Sequence, residues 1–206
     1  MRKPTVRFAG SAASPAQFPK DGLPEVAFLG RSNVGKSRLL NALCGIRGLA
    51  RVSATPGRTQ LVNFFLVDDA WYLVDLPGYG YARAPESVRR GFEGLVTTYL
   101  EREAVVLGVF LVDPRRPPTD ADDLLRRYLD RLGLPYVVAA TKADKLGSNE
   151  LTRRRRELER GLGRKAREVI PTSAEDGTGL PELLRAIRRA TEAHGTVRGA
   201  AALREV

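Results

Sequence analysis

Glu25-Val26-Ala27-Phe28-Leu29-Gly30-Arg31-Ser32-Asn33-Val34-Gly35-Lys36-Ser37 decides how the rest of the chain is read. The apolar run that ends at Gly30 has the pattern of a short parallel strand buried on both faces. Gly30 to Ser37 fits G-x-x-x-x-G-K-[ST]. Leu39, Leu40 and Leu43 then share one face of a helix expected over 37–43. Strand, loop and helix stand in the order a phosphate-binding loop needs, which a chance glycine-rich turn would not require. The glycines let backbone N–H groups turn inward around phosphate oxygens, and the helix N-terminus adds a favourable dipole. Lys36 can neutralise β- and γ-phosphate charge, and the Ser37 hydroxyl can ligate Mg²⁺.

Downstream, Leu61–Val67 and Trp71–Asp75 read as two strands of a hairpin turning at Asp68-Asp69-Ala70. The second strand ends in Asp75-Leu76-Pro77-Gly78. A carboxylate at that strand end would face the phosphate loop and hold Mg²⁺ through a water, and the Gly78 N–H can meet a γ-phosphate. Thr141-Lys142-Ala143-Asp144 follows the expected strand Tyr136–Ala140 and fits the [NT]-K-x-D pattern of guanine recognition. Asp144 can accept from guanine N1–H and the 2-amino group, while adenine offers no donor there and would leave the carboxylate unpaired. The Lys142 stem can pack on the base face. Thr172-Ser173-Ala174 resembles a turn that gives backbone N–H groups to guanine O6.

A GTP-type site also needs a threonine from a flexible loop for Mg²⁺ and the γ-phosphate. Thr55 and Thr59 are the candidates, and Thr59 is preferred because it lies just before the strand that begins at Leu61, whereas Thr55 precedes Pro56 and suits a turn.

The remaining pattern places helices at about 86–102, 119–132, 149–162 and 180–193, with strands at 105–112, 136–140 and 169–171. Alternation of strands and helices predicts a three-layer α/β fold: a mostly parallel six-stranded sheet with one antiparallel edge strand and helices on both faces. Residues 1–24 read as an arm packed on the domain, pinned by Phe8 and Phe18. Residues 25–193 form the nucleotide domain and 194–206 a basic tail.

At 206 residues the chain suits one large domain. Its single cysteine and single histidine exclude disulfide frameworks, Cys-rich zinc modules and His-based metal sites. The longest apolar run, 104–112, is far below the roughly 20 residues of a bilayer span, and no signal peptide is visible. A cytoplasmic location is therefore expected. The formal net charge of +10 favours a polyanionic partner, nucleic acid above all.

Together, the phosphate loop with Ser32-Asn33, Thr55-Pro56-Gly57-Arg58-Thr59-Gln60-Leu61-Val62-Asn63-Phe64-Phe65, and Asp75-Leu76-Pro77-Gly78-Tyr79-Gly80-Tyr81-Ala82 carry a resemblance over nearly the whole chain. The chain resembles the EngB (YihA/YsxC) family of bacterial GTPases, of the TrmE-Era-EngA-EngB-Septin-like superfamily. The resemblance implies a monomeric GTP/GDP-binding switch in assembly of the large (50S) ribosomal subunit, needed for normal cell division and working away from membranes. It implies Mg²⁺ ligation by Ser37 and Thr59. Gly30 to Ser37, Gly57 to Leu61, Asp75 to Gly78, Thr141 to Asp144 and Thr172 to Ala174 would line the nucleotide, with Lys36, Thr59, Gly78 and Asn33 serving catalysis.

Tyr79 stands where many GTPases carry a glutamine that orients the attacking water, so slow intrinsic hydrolysis is expected. In the resembling cation-dependent GTPases an asparagine at the place of Asn33 helps to hold K⁺ where an arginine finger would act; a backbone-capping role is the alternative. The competing function is a nucleic-acid-binding module in which GTP is mainly structural. Arg153 to Arg156 could serve RNA or be a solvated helix face.

Overall fold

The computed structural model describes residues 4–50, 61–79, 94–161 and 166–202. The elements are β1 (Val6–Ala12), a 3₁₀ turn (Pro15–Gln17), β2 (Glu25–Gly30), α1 (Lys36–Cys44), β3 (Val62–Val67), β4 (Trp71–Asp75), a helix α2 over 94–100, β5 (Val105–Val112), α3 (Asp120–Leu132), β6 (Tyr136–Ala140), a second 3₁₀ turn (Ala143–Lys145), α4 (Ser148–Arg160), β7 (Ala166–Pro171) and α5 (Leu180–Ala202). The strands form one sheet in the order β1-β3-β4-β2-β5-β6-β7.

The sheet is of the expected class, with two corrections to its edge. Among the described residues it has seven strands rather than six, because part of the N-terminal arm is itself a strand: β1 pairs with β3 from Val6↔Val67 to Ala12↔Val62. The antiparallel strand β3 is therefore covered rather than the edge. Glycine, serine and alanine in Phe8-Ala9-Gly10-Ser11-Ala12 hid this strand, since a covering edge strand needs little apolar patterning. Pairing through the backbone, with a register shift between Phe8 and Gly10, supplies what the side chains do not. Phe18 is buried against Phe64 and Tyr99, as expected of an anchor, whereas Phe8 stays 57% exposed and only tilts onto Phe65.

The hairpin turn is as expected. Asp68 and Asp69 both take left-handed φ, 50° and 53°, which a tight right-twisted hairpin needs and which aspartate tolerates. The Asp68 carboxylate also accepts the Thr5 N–H at 2.8 Å, stitching β1 to the turn.

Two apolar layers sandwich the sheet. Leu39 and Leu40 of α1 with Leu183, Ala186 and Ile187 of α5 cover Val26, Phe28, Val109 and Leu111 on one face. Leu95 and Tyr99 of α2 with Leu129 of α3 cover Ala27, Leu29, Phe110 and Val138 on the other. Burial on both sides explains why β2, β5 and β6 are apolar without alternation. The α5 helix runs on to Ala202, past the end expected at 193, so the first part of the expected tail is helical. The helix expected over 86–102 is described only from 94.

β2 is parallel to both β4 and β5, and β5, β6 and β7 continue in parallel. Their carboxyl ends therefore share one edge of the sheet. There Gly30, Asp75, Val112, Ala140 and Pro171 hand over to loops, and the chain leaves β2 between neighbours on either side, the switch point where such sheets bind ligands.

Candidate functional site

The phosphate loop leaves β2 and enters α1 with Gly35 as N-cap. Asn33 holds left-handed φ of 64°, a conformation asparagine accepts more readily than most residues. Lys36 opens α1 and its ammonium pairs with the Asp75 carboxylate at the end of neighbouring β4, Asp75 being buried and Lys36 half-buried. A direct ion pair thus joins the end of β4 to the phosphate loop. Ser37 follows on the first turn of α1.

The segment after Asp75 lies against the same loop. The Tyr79 N–H donates to the Gly30 carbonyl at 3.2 Å, and the Ser32 N–H donates to the Tyr79 carbonyl at 3.0 Å. Gly78 sits between them in a space with no room for a side chain: a Cβ there would be 3.0 Å from the Ser32 nitrogen and 3.2 Å from its Cα. Glycine is required at 78 by this close backbone approach.

The Thr141–Asp144 segment is bonded to the phosphate loop as well. The buried Thr141 hydroxyl reaches the Val34 carbonyl at 2.8 Å and the Val112 carbonyl at 3.0 Å. The threonine at the head of the motif therefore ties β6 to the loop. Lys142 takes left-handed φ of 57° and places its ammonium 3.0 Å from the Asn33 carbonyl and 3.1 Å from Asp113. Its stem lies across the loop, and the Lys142 Cε would be 3.7 Å from a Cβ on Gly35. Strained backbone at a site position such as this persists where side-chain bonds fix it.

Asp144 is held from two sides. The Ser173 hydroxyl donates to Oδ1 at 2.8 Å and Lys145 pairs with Oδ2 at 3.0 Å. These two partners, Lys145 foremost, hold its carboxyl below the ordinary range, so the site keeps an acceptor. Thr172 and Ser173 are fully buried, and the Thr172 carbonyl accepts the Ala143 N–H at 3.0 Å. Ala174 follows in the same turn. The turn closes through Gly179, whose φ is 69° and whose added Cβ would fall 1.9 Å from the Pro171 carbonyl oxygen. Gly179→Ala should therefore cost at least about 2 kcal/mol, from left-handed strain plus displaced backbone. Urea denaturation measures the loss, and a change under ~0.5 kcal/mol would contradict this account.

Gly30 to Ser37, Asp75 to Gly78, Thr141 to Asp144 and Thr172 to Ala174 are thus brought to one edge and linked by hydrogen bonds. Leu61 is described, 38% exposed, just ahead of β3. Gly57, Arg58, Thr59 and Gln60, with Thr55, lie outside the described residues.

Sequence reading missed two residues, Asp113 and Asp122. Asp113, immediately after β5, pairs with Lys142 and with Arg115, the latter at 2.7 Å. Burial pushes its carboxyl up, but the hydrogen bonds from Arg115 and Lys142 outweigh this and hold it well below the usual range. A carboxylate at the end of an apolar strand, the feature that singled out Asp75, could have found it. Asp122 is the second; the helix start was read at Thr119, but Thr119-x-x-Asp122 was not singled out as a capping box.

A sequence family described as "50S ribosome-binding GTPase" matches residues 25–142. The chain is 47% identical over 187 residues to "Probable GTP-binding protein EngB" of Solibacter usitatus, covering 90% of this chain and 96% of that protein. It is 46% identical over 191 residues to the protein of the same name in Syntrophus aciditrophicus, covering 92% and 97%. The crystal structure of a probable GTP-binding protein engB overlays with a TM-score of 0.66 at 24% identity, covering 82% of this chain and 99% of that one, which supports the fold. At 46–47% identity over nine-tenths of its length, and with the GTPase family matching residues 25–142, the chain belongs to the EngB family of GTP-binding proteins and is a GTPase.

Proposed function

We propose that this GTPase is a guanine-nucleotide switch that binds the large ribosomal subunit or its precursor in the cytoplasm, acts in 50S assembly and is thereby needed for cell division. The observation that carries the nucleotide part is the Asp144 carboxylate, fixed by Ser173 and Lys145 and joined through Ala143 and Thr141 to the phosphate loop. That geometry suits simultaneous reading of a guanine and of phosphates.

The residues fit Mg²⁺: a hydroxyl on the first turn of α1 and a carboxylate at the adjacent strand end are hard oxygen donors. Ser37 and Thr59 would hold the ion directly and Asp75 through a water. When bound, it neutralises charge developing on the β- and γ-phosphates. For this, Lys36 exchanges the Asp75 carboxylate for phosphate oxygens, which frees Asp75. The Gly78 N–H turns to the γ-phosphate. Gly30 to Ser37, Gly57 to Leu61, Asp75 to Gly78, Thr141 to Asp144 and Thr172 to Ala174 line the nucleotide. Tyr79 supplies no amide to orient water, so the free protein hydrolyses GTP slowly. Asn33 is the proposed K⁺ ligand.

The ribosomal part is supported by the family description and by the net charge of +10. Arg153, Arg154 and Arg155 are not its best carriers, since they pair along α4 with Glu150, Glu157 and Glu159. Surface pairs of this kind are worth little, but they neutralise the face locally.

Filter binding to separated ribosomal subunits tests the proposal. Binding is expected to favour the large subunit and to weaken by about tenfold or more between low and physiological salt. GTP turnover should be slow alone, faster with large subunits, and faster in K⁺ than in Na⁺. Equal binding to both subunits, or salt-independent binding, would count against the ribosomal reading; equal turnover in both ions would remove K⁺ alone.

A further inference from the structure

Tyr79 and Asp122 serve none of the roles above, yet a single short bond joins them. The Tyr79 hydroxyl donates to Asp122 Oδ1 at 2.6 Å. Asp122 lies in the first turn of α3 and is 8% exposed. Its other oxygen accepts the Thr119 N–H at 2.8 Å and the Thr119 hydroxyl at 2.7 Å. The carboxylate is thus fixed by the helix start and offers its remaining oxygen to Tyr79. Burial first, then the bond and charge of Asp122, hold the phenol far above its ordinary range, so Tyr79 stays a neutral donor.

Tyr79 in turn is bonded by both its backbone groups to the phosphate loop, on either side of Arg31. Gly78, the residue before it, is pressed on the Ser32 backbone. The position of Gly78 is therefore set from three directions: by β4 behind it, by the phosphate loop beside it, and by α3 through the Tyr79 ring.

We infer that Asp122 is a positioning residue for recognition of the γ-phosphate: through Tyr79 it anchors the segment that carries the Gly78 N–H. This rests on the reading that the Gly78 N–H meets the γ-phosphate. GDP makes no such demand, so loss of the anchor acts on GTP and spares GDP. It also explains why a tyrosine suits the position where other GTPases place a glutamine. The side chain is committed to α3, and its use lies in holding the glycine before it.

The test is equilibrium binding of GDP and of a non-hydrolysable GTP analogue to the full chain with Mg²⁺, with melting temperatures recorded. Tyr79→Phe keeps the ring and the Thr119–Asp122 cap and removes only the hydroxyl. It should lower analogue affinity about fivefold to thirtyfold, the cost of re-ordering roughly one backbone residue, and leave GDP affinity within about twofold. Tyr79→Phe should add nothing further in an Asp122→Ala background, which has no acceptor left for the hydroxyl, if the two act through one bond. Gly78→Ala separates this inference from the reading beneath it. If Gly78→Ala lowers analogue relative to GDP affinity and Tyr79→Phe does not, the anchor is overturned and the γ-phosphate reading stands. If neither variant moves the ratio, both fall. A drop in melting temperature with an unchanged ratio marks a purely structural bond and also overturns the anchor.

Discussion

Asp144→Asn should lower GTP affinity by about a hundredfold or more, the loss of two charge-assisted hydrogen bonds, while xanthosine triphosphate gains. The structure explains why so conservative a change can redirect rather than unfold the site. An asparagine Oδ1 still accepts from the Ser173 hydroxyl, so the side chain keeps its orientation. Only the atom that faces Lys145 changes from acceptor to donor. A donor there opposes the guanine N–H groups and suits the carbonyl that xanthine presents. Competition binding with the two nucleotides measures the switch. A variant that keeps GTP affinity within about threefold, under ~1 kcal/mol, would remove Asp144 from base recognition.

The second large effect lies at the opposite end of the sheet. Arg102 reaches Glu25 Oε1 at 2.6 Å and the Pro19 carbonyl at 2.7 Å, with its guanidinium 5.2 Å from the centre of the Phe18 ring. Glu25 is 1% exposed. Burial raises its carboxyl above the ordinary 4.5 by more than the hydrogen bond and charge of Arg102 lower it. Arg102→Leu leaves that carboxylate buried without its partner and should cost about 3–5 kcal/mol near neutral pH. Because the folded carboxyl titrates above its unfolded value, its contribution is present below the ordinary value and is lost as pH rises through the raised one. The variant should therefore be least stable in neutral and alkaline solution and recover towards acid. Denaturant titrations at about pH 5 and about pH 8 check this. A loss below ~1 kcal/mol, or one that is the same at both pH values, contradicts it. Adding Glu25→Gln to Arg102→Leu should restore much of the stability, since no buried charge remains.

The site was legible where chemistry depends on contiguous residues. Gly30 to Ser37 and Thr141 to Asp144 each sit on one turn after one strand, so spacing alone carries them. The edges of the sheet were not legible to the same degree. β1 carries glycine and serine where a buried strand carries valine, because it joins β3 chiefly through backbone bonds, with the Ser11 hydroxyl donating to Asn63. Asp113 and Asp122 were missed for a different reason. Each acts through a residue distant in sequence, Lys142 and Tyr79, and such pairs show only when the strands bring their carboxyl ends together. The arginine run left two readings open, RNA contact or a solvated helix face. Four consecutive positive charges draw the eye, yet glutamates three and four residues away answer most of them once the segment is helical.

The covering of β3 by β1 has a consequence for how the chain is made and kept soluble. β1 is synthesised before β3 and has no partner until residues 62–67 exist, so this side of the sheet stays open until β3 has been made. Until β1 pairs with it, the outer side of β3 offers free N–H and C=O groups to any extended chain nearby. The N-terminal strand works as a stopper against self-association, and shortening it exposes a template for aggregation rather than merely trimming an arm. Its first pair, Val6 with Val67, lies at the end of the sheet opposite the nucleotide loops, so a fusion partner attached ahead of Val6 enters on the side remote from the nucleotide.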